Sequence, residues 1–290
     1  MLRCGRLPVA TEDELADEIQ IQCIVKQFFK TGVFFRLRNI GVNDVFNAVF
    51  GYLFNKGFRF GGIGSRMGNS DTPKQYLELG TKPVIIHTIE KFFINDKIDE
   101  ILVLCPKAWV AHTRDLVAKH LPDGKKITVI AGGATRNGTL ENAIAYIEEN
   151  CETDENTIIV THDAVRPFLT HRIICENVEA AEKYGACDTV IPATDTIVAS
   201  EDGSMISSIP ERSKMYQGQT PQSFRLKELE RVLSSLTEDE KAILTDACKI
   251  FSIKSKPVYM VEGEIFNIKI TYPYDLKVAK TLLKGKDCDD

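Results

Sequence analysis

"NTIIVTHDAVRPFLTHRIICENVEAAEKYG", residues 156–185, holds the unit that decides the fold. Its first part, "NTIIVTHD" (156–163), is a nearly continuous apolar run, as expected of a strand buried on both faces. "THRIICENVEAAEKYG" then reads as a helix, and Gly185 supplies its C-terminal stop. A doubly buried strand followed by an amphipathic helix is the repeating unit of a parallel sheet covered on both sides.

The same alternation extends outward from this unit. Upstream, Pro83 opens a helix whose Val84, Thr88, Ile89, Phe92 and Phe93 share one face. "EILVLC" (100–105) and "KITVIA" (126–131) are strand-like, and "KAWVAHTRDLVAKH" and "RNGTLENAIAYIEEN" are helical. Downstream, "DTVIPA" predicts a strand, helices are expected over 226–250, strands near 257–262 and 265–271, and a last helix from 273. The predicted class is α/β, a Rossmann-like, mostly parallel sheet with helices on both faces.

The alternation breaks over 195–224. "DTIVASEDGSMISSIP" has the pattern of a hairpin turning at Asp202-Gly203. It buries little by itself, so it is expected to project as a β-arm. Residues 1–55 have a different character. Thr11 and Glu14 form a capping box, and Leu15, Ile19 and Cys23 continue one helical stripe. A second stripe runs Val42, Val45, Phe46, Val49 and Leu53. These residues predict a helical N-terminal extension of unknown role, or a non-native leader, ahead of a domain spanning 56–290.

The 290 residues carry a net charge of −5 and a pI of about 5.7. Nucleic-acid binding normally needs a basic surface, so it is not expected. The eight cysteines contain no CxxC, and no Cys/His pairing has zinc spacing. Cys105, Cys187 and Cys248 sit inside apolar runs as reduced core residues, a pattern that fits the cytoplasm. No run of 18 apolar residues predicts membrane insertion. The N-terminus has no apolar signal-peptide core, and the acids Glu12, Asp13 and Glu14 argue against a transit peptide.

Chemistry concentrates at the predicted strand ends. "GGIGSRMGNSDTPKQY" (61–76) places Gly61, Gly62, Gly64 and Ser65 beside Arg66 and Lys74. It matches neither GxGxxG nor the P-loop pattern, but its consecutive N–H groups can cradle an anion. "GGATRNGT" (132–139), with Gly132, Arg136 and Thr139, is a second glycine turn, able to hold a flat base against backbone. Asp163 ends a central strand, where open sheets place ligands. One carboxylate there suits a Mg2+ ion bridging phosphates. Arg166 suits a second anion. His162 fits a packed, hydrogen-bonding role better than that of a base. Lys269 lies in an otherwise apolar strand and needs a partner such as a phosphate. The sequence offers no convincing nucleophile–base pair. A phosphate monoester is largely dianionic at neutral pH, so it can attack a nucleotide α-phosphate with no general base. Cations and a metal then do the work, by positioning and charge stabilisation.

In order, "GGIGSRMG…PKQY", "GGATRNGT", "HDAVRPF", "QTPQSF", "TDACK" and "NIKIT" resemble the cytidylyltransferase family, from Gly61 to about residue 284. That family includes the 2-C-methyl-D-erythritol 4-phosphate and the ribitol-5-phosphate cytidylyltransferases. The resemblance implies a Mg2+-dependent reaction of CTP with a polyol phosphate, pyrophosphate release, and a homodimer formed through the arm. By the same matching, Arg66 and Lys74 stabilise the triphosphate, and Gly132 and Thr139 contact cytosine. Asp163 binds metal. Arg166, Asp195, Thr196, Thr220, Thr245 and Lys269 line the acceptor side, and Arg212 reaches the neighbouring subunit's site.

"HDAVRPFLTHRII", "DTIV", "MYQGQTPQSF" and "TDACKI" are most similar to the ribitol group. Methylerythritol enzymes commonly carry a basic residue before the Asp-Thr pair, where this chain has Thr194. The chain departs from the family pattern at Phe58-Arg59-Phe60. A short apolar strand ending in Ala is expected there, and a charge in a central strand costs several kcal/mol unless paired. The expected activity is transfer of cytidylate to D-ribitol 5-phosphate. Methylerythritol phosphate is the alternative acceptor, and an impaired CTP-binding homologue is the alternative class.

Overall fold

The computed structural model describes residues 20–25, 49–50, 72–133, 135–244 and 246–286. The strands are β1 (Gln20–Val25), β2 (Val49–Phe50), β3 (Glu78–Leu79), β4 (Lys82–Pro83), β5 (Glu100–Cys105), β6 (Lys126–Ala131), β7 (Ile158–Asp163), β8 (Ala186–Pro192), β9 (Tyr216–Arg225) and β10 (Tyr259–Glu262). The helices are α1 (Val84–Phe93), α2 (Val110–His120), α3 (Arg136–Asn150), α4 (His171–Tyr184), α5 (Leu226–Ser234), α6 (Glu238–Ala242), α7 (Ala247–Ile253) and α8 (Pro273–Lys286).

The main sheet runs β10-β8-β9-β7-β1-β5-β6, with β2 paired to β7 and a separate β3–β4 hairpin. β5 and β6 are parallel, as are β8 and β10. β9 runs antiparallel to both β7 and β8, and β1 antiparallel to both β5 and β7. The fold is therefore α/β with a mostly parallel, mixed sheet.

Two apolar layers sandwich the sheet. On one side Val84, Ile85, Ile89 and Phe92 of α1 and Ile173, Ile174 and Val178 of α4 pack on Ile101, Val103, Ile158 and Val160. On the other, Leu140 and Ile144 of α3, Leu229 and Leu233 of α5, and Phe251 of α7 pack on Leu102, Leu104, Ile159 and Phe224. Alternate residues of β5 and β7 thus face opposite layers, which is why these strands are apolar throughout. Local signals set the helix ends. The Thr170 side chain accepts from Ile173 N, and Gly185, at φ +85°, closes α4.

Four expectations need correction. Cys23 lies in strand β1, opposite Ile101 of β5 and Val160 of β7, and not on a helical stripe. Val49 likewise falls in a strand. In both cases pairing with the sheet overrides a weak local periodicity. The remaining residues of those two stripes, with Phe58, Arg59 and Phe60, lie outside the described residues.

The third correction concerns 195–224. Only its first part projects. From Tyr216 the chain is β9, a ten-residue strand buried from Gln219 to Phe224. The hairpin turns where expected: Asp202 Oδ1 accepts from Ser204 N and Met205 N, and Gly203 takes φ +72°. Ala199 and Ser208 pair across it.

The fourth concerns 265–271, which forms no strand. Its backbone groups bond instead to the turn that follows β7. The Asn267 carbonyl accepts from Arg166, and Ile270 N donates to Val165 O.

Candidate active site

Asp163 stands at the carboxyl end of β7, buried, between β1 and β9. Its Oδ2 accepts from Arg166 Nε at 2.9 Å. Lys269 Nζ lies 3.3 Å from Oδ1 and 3.2 Å from Oδ2. The extended chain after β10 therefore carries the lysine back to the same carboxylate. Arg166 is fixed again by its NH1, which donates to the Asn267 carbonyl at 2.7 Å. The Asn267 side chain in turn donates to the Thr220 carbonyl at 2.9 Å.

Thr220 joins this group through its hydroxyl, which accepts from Asp163 N at 3.1 Å and meets His162 Nδ1 at 3.0 Å. His162 Nε2 faces the Arg166 carbonyl at 3.2 Å. Burial pushes the imidazole down to about 3, so it stays neutral. A buried, neutral histidine with both nitrogens bonded is a brace for the turn rather than a base.

The second glycine turn is built for close approach. Gly132 N donates to Cys105 O at 2.9 Å, bringing the turn to the end of β5. A Cβ on Gly133 would sit 2.4 Å from the Gly138 carbonyl carbon, so the turn and the start of α3 fit only without one. Thr139 is buried. Its hydroxyl accepts from Gly133 N at 3.0 Å and donates to Thr135 O at 2.9 Å. It shapes the turn from beneath.

Lys74 is buried in a single 3-10 turn, Lys74–Tyr76. Tyr76 stacks on Trp109 with centroids 4.6 Å apart, and its hydroxyl lies 2.7 Å from Thr113 Oγ1. That anchors the turn to α2. Asp195 and Thr196 are exposed at the base of the arm. Arg212 is exposed beside them, its NH1 donating to Thr194 O at 3.2 Å. Gly61, Gly62, Gly64, Ser65, Arg66 and Thr245 lie outside the described residues, as does the side chain of Arg136.

The structure thus gathers Asp163, Arg166, Thr220 and Lys269 into one cluster from three separate stretches of chain. Sequence reasoning passed over Asn267 and Gln222. Both lie in the quoted "FNIKIT" and "QTPQSF", yet neither type has distinctive chemistry away from its partners. Among the described residues no group of three His, Cys, Asp or Glu forms a metal cluster. Asp163, one hard oxygen donor beside two cations, fits a divalent ion completed by phosphate oxygens.

A mixed α/β sheet that gathers one carboxylate and two cations at a strand end is suited to holding phosphate groups, and the family match makes the chain a nucleotidyltransferase. Residues 60–285 match the family model of 2-C-methyl-D-erythritol 4-phosphate cytidylyltransferase, IspD. The chain belongs to this family. Among solved structures it is similar to 4-diphosphocytidyl-2C-methyl-D-erythritol synthase from Anaerococcus prevotii, with 26% identity, a TM-score of 0.63, and 76% of this chain and 93% of that one covered. The 2-C-methyl-D-erythritol 4-phosphate cytidylyltransferase of Francisella tularensis is 27% identical with a TM-score of 0.62, covering 74% and 95%. That of Thermus thermophilus is 26% identical with a TM-score of 0.57, covering 73% and 94%. No helix among the described residues is long and apolar enough to cross a membrane.

Proposed function

We propose that this cytidylyltransferase moves the cytidylyl group of CTP onto D-ribitol 5-phosphate, giving CDP-ribitol and pyrophosphate. The carrying observation is the cluster of Arg166 and Lys269 on Asp163. An acceptor phosphate oxygen attacks the α-phosphorus of CTP, and the bond from that phosphorus to the pyrophosphate oxygen breaks. The acceptor phosphate is already largely dianionic, so no base is required. The obstacle is the approach of two anions. Arg166 and Lys269 offset it at the acceptor end, and Lys74, with Arg66, does so along the triphosphate.

Asp163 holds the Mg2+ ion, which neutralises phosphate charge when bound. The 132–139 turn receives cytosine. Thr196, Thr220 and Thr245, with Asp195, line the acceptor side. The chain works as a homodimer through its arm, where Met205, Ile206 and Ile209 are exposed apolar groups. Thr194, where a basic residue would favour methylerythritol phosphate, supports ribitol phosphate. The solved relatives named above support 2-C-methyl-D-erythritol 4-phosphate as the second reading. Pyrophosphate release by the full chain, with Mg2+, CTP and each acceptor in turn, tests the proposal. A higher kcat/KM for methylerythritol phosphate, or turnover of neither, would reject it.

A further inference from the structure

We infer that Asp188 is a specificity-determining residue that takes the hydroxyl tail of the acceptor, an inference resting on the acceptor reading given above. Asp188 has no part in the cluster around Asp163, but the sheet places it in line with it. Thr161 of β7 pairs with Gln222 of β9, and Gln222 pairs with Asp188 of β8. Neighbouring strands are spaced by about 4.8 Å, so Asp188 lies roughly 10 Å across the sheet from the end of β7. Thr220, which touches Asp163, is two residues from Gln222 on the same strand.

The side chains are aimed consistently. Gln222 Nε2 donates to Asp188 Oδ1 at 3.0 Å, and Gln222 Oε1 accepts from Ala247 N at 3.2 Å. Gln222 is therefore fixed between β8 and the start of α7, and it orients the carboxyl. The other oxygen faces Gly218. Gly218 is exposed, and a Cβ there would sit 3.7 Å from Asp188 Oδ2. A longer side chain at 218 would cover that oxygen.

The electrostatics run from one end of this line to the other. Arg166 and Lys269 draw a phosphate to the Asp163 end. Burial, then the Asp246 carboxylate, push the Asp188 carboxyl up to about 7, while Gln222 and Arg166 act the other way. A carboxyl near its midpoint at neutral pH donates as well as accepts hydrogen bonds, as hydroxyls do. A phosphate dianion is disfavoured beside it. A molecule with phosphate at one end and free hydroxyls at the other matches that polarity, and an apolar methyl on the tail gains nothing from it.

The test is pyrophosphate release by the full chain and by Asp188→Asn and Asp188→Leu, with saturating CTP and varied D-ribitol 5-phosphate or 2-C-methyl-D-erythritol 4-phosphate. Asp188→Leu should raise KM for ribitol phosphate roughly 10-fold, the scale of one lost hydrogen bond to a charged group. KM for CTP should hold, and the acceptor preference should move toward methylerythritol phosphate. Asp188→Asn, of the same shape, should show a smaller rise, and it decides the matter alone if the leucine variant does not fold. Unchanged acceptor KM in folded variants overturns the inference. A wild-type preference for methylerythritol phosphate removes the proposed function only. Asp188 is then judged by that acceptor's KM against the KM for CTP, a rise supporting it and no change overturning it. Turnover of neither acceptor overturns both.

Discussion

Lys269 and Asp163 are 106 residues apart in sequence and meet at 3.2 Å at the end of β7. Arg166, three residues from Asp163, holds the same carboxylate at 2.9 Å. We expect Asp163→Asn to cut turnover by roughly 100-fold or more, because it removes the charge proposed to hold the metal ion and releases both cations. Lys269→Ala should do comparable damage. The double variant should lose much less than the product of the two, because the residues act as one unit. Pyrophosphate release on the four proteins measures the coupling, and independent effects would show that the lysine has another task.

Lys74→Ala should lower turnover by roughly 100-fold through the loss of a preorganised cation. Its neighbours in the turn are anchored by Tyr76 on Trp109, so the fold should survive. Near-normal turnover with an unchanged melting curve would remove Lys74 from the site.

Asp188 also makes a stability prediction. Its folded carboxyl is raised from 3.8 to about 7 by burial and by Asp246, with Gln222 and Arg166 opposing. The folded chain therefore keeps a proton that the unfolded chain releases between these values. Its stabilising contribution is complete below about pH 4 and is lost as pH rises through about 7. Allowing for the water that reaches this half-buried group, about 1–2 kcal/mol is at stake. Urea unfolding at pH 5 and pH 7.5 should show the wild type weakening more than Asp188→Asn. Equal slopes would contradict the shift.

Deleting residues 1–55 removes β1 from between β5 and β7. The facing backbone groups of two buried strands then lose their partners. We expect the shortened chain to be insoluble or to melt far lower. A truncation with an unchanged melting temperature would show that β1 is dispensable and that another segment can fill the slot.

The last prediction is a site shared across the dimer. The Asp202-Gly203 hairpin packs little within its own chain, and Met205 is 72% exposed. A two-fold dimer would place each arm on its neighbour. If Arg212 acts in trans, refolding Arg212→Ala together with Lys74→Ala creates mixed dimers with one intact site each. Random pairing makes about half the dimers mixed, so activity should recover to roughly a quarter of wild type. No recovery with mixed dimers present would place Arg212 in its own chain's site.

Sequence alone determined the parts whose causes are local. The doubly apolar runs of β5 and β7, the Gly185 stop and the Asp202-Gly203 turn depend on neighbouring residues, so their spacing discloses them. Asp163 was legible too, because a carboxylate ending an apolar strand stands out by type. The antiparallel courses of β1 and β9 were not legible. "QIQCIV" and "YQGQTPQSFR" become sheet because of the strands on either side of them, and those partners are distant in the chain. Tertiary structure alone brought Lys269 to Asp163 and Gln222 to Asp188. A side chain's chemistry is set by the charges and donors within a few ångströms, and only the folded backbone decides which those are.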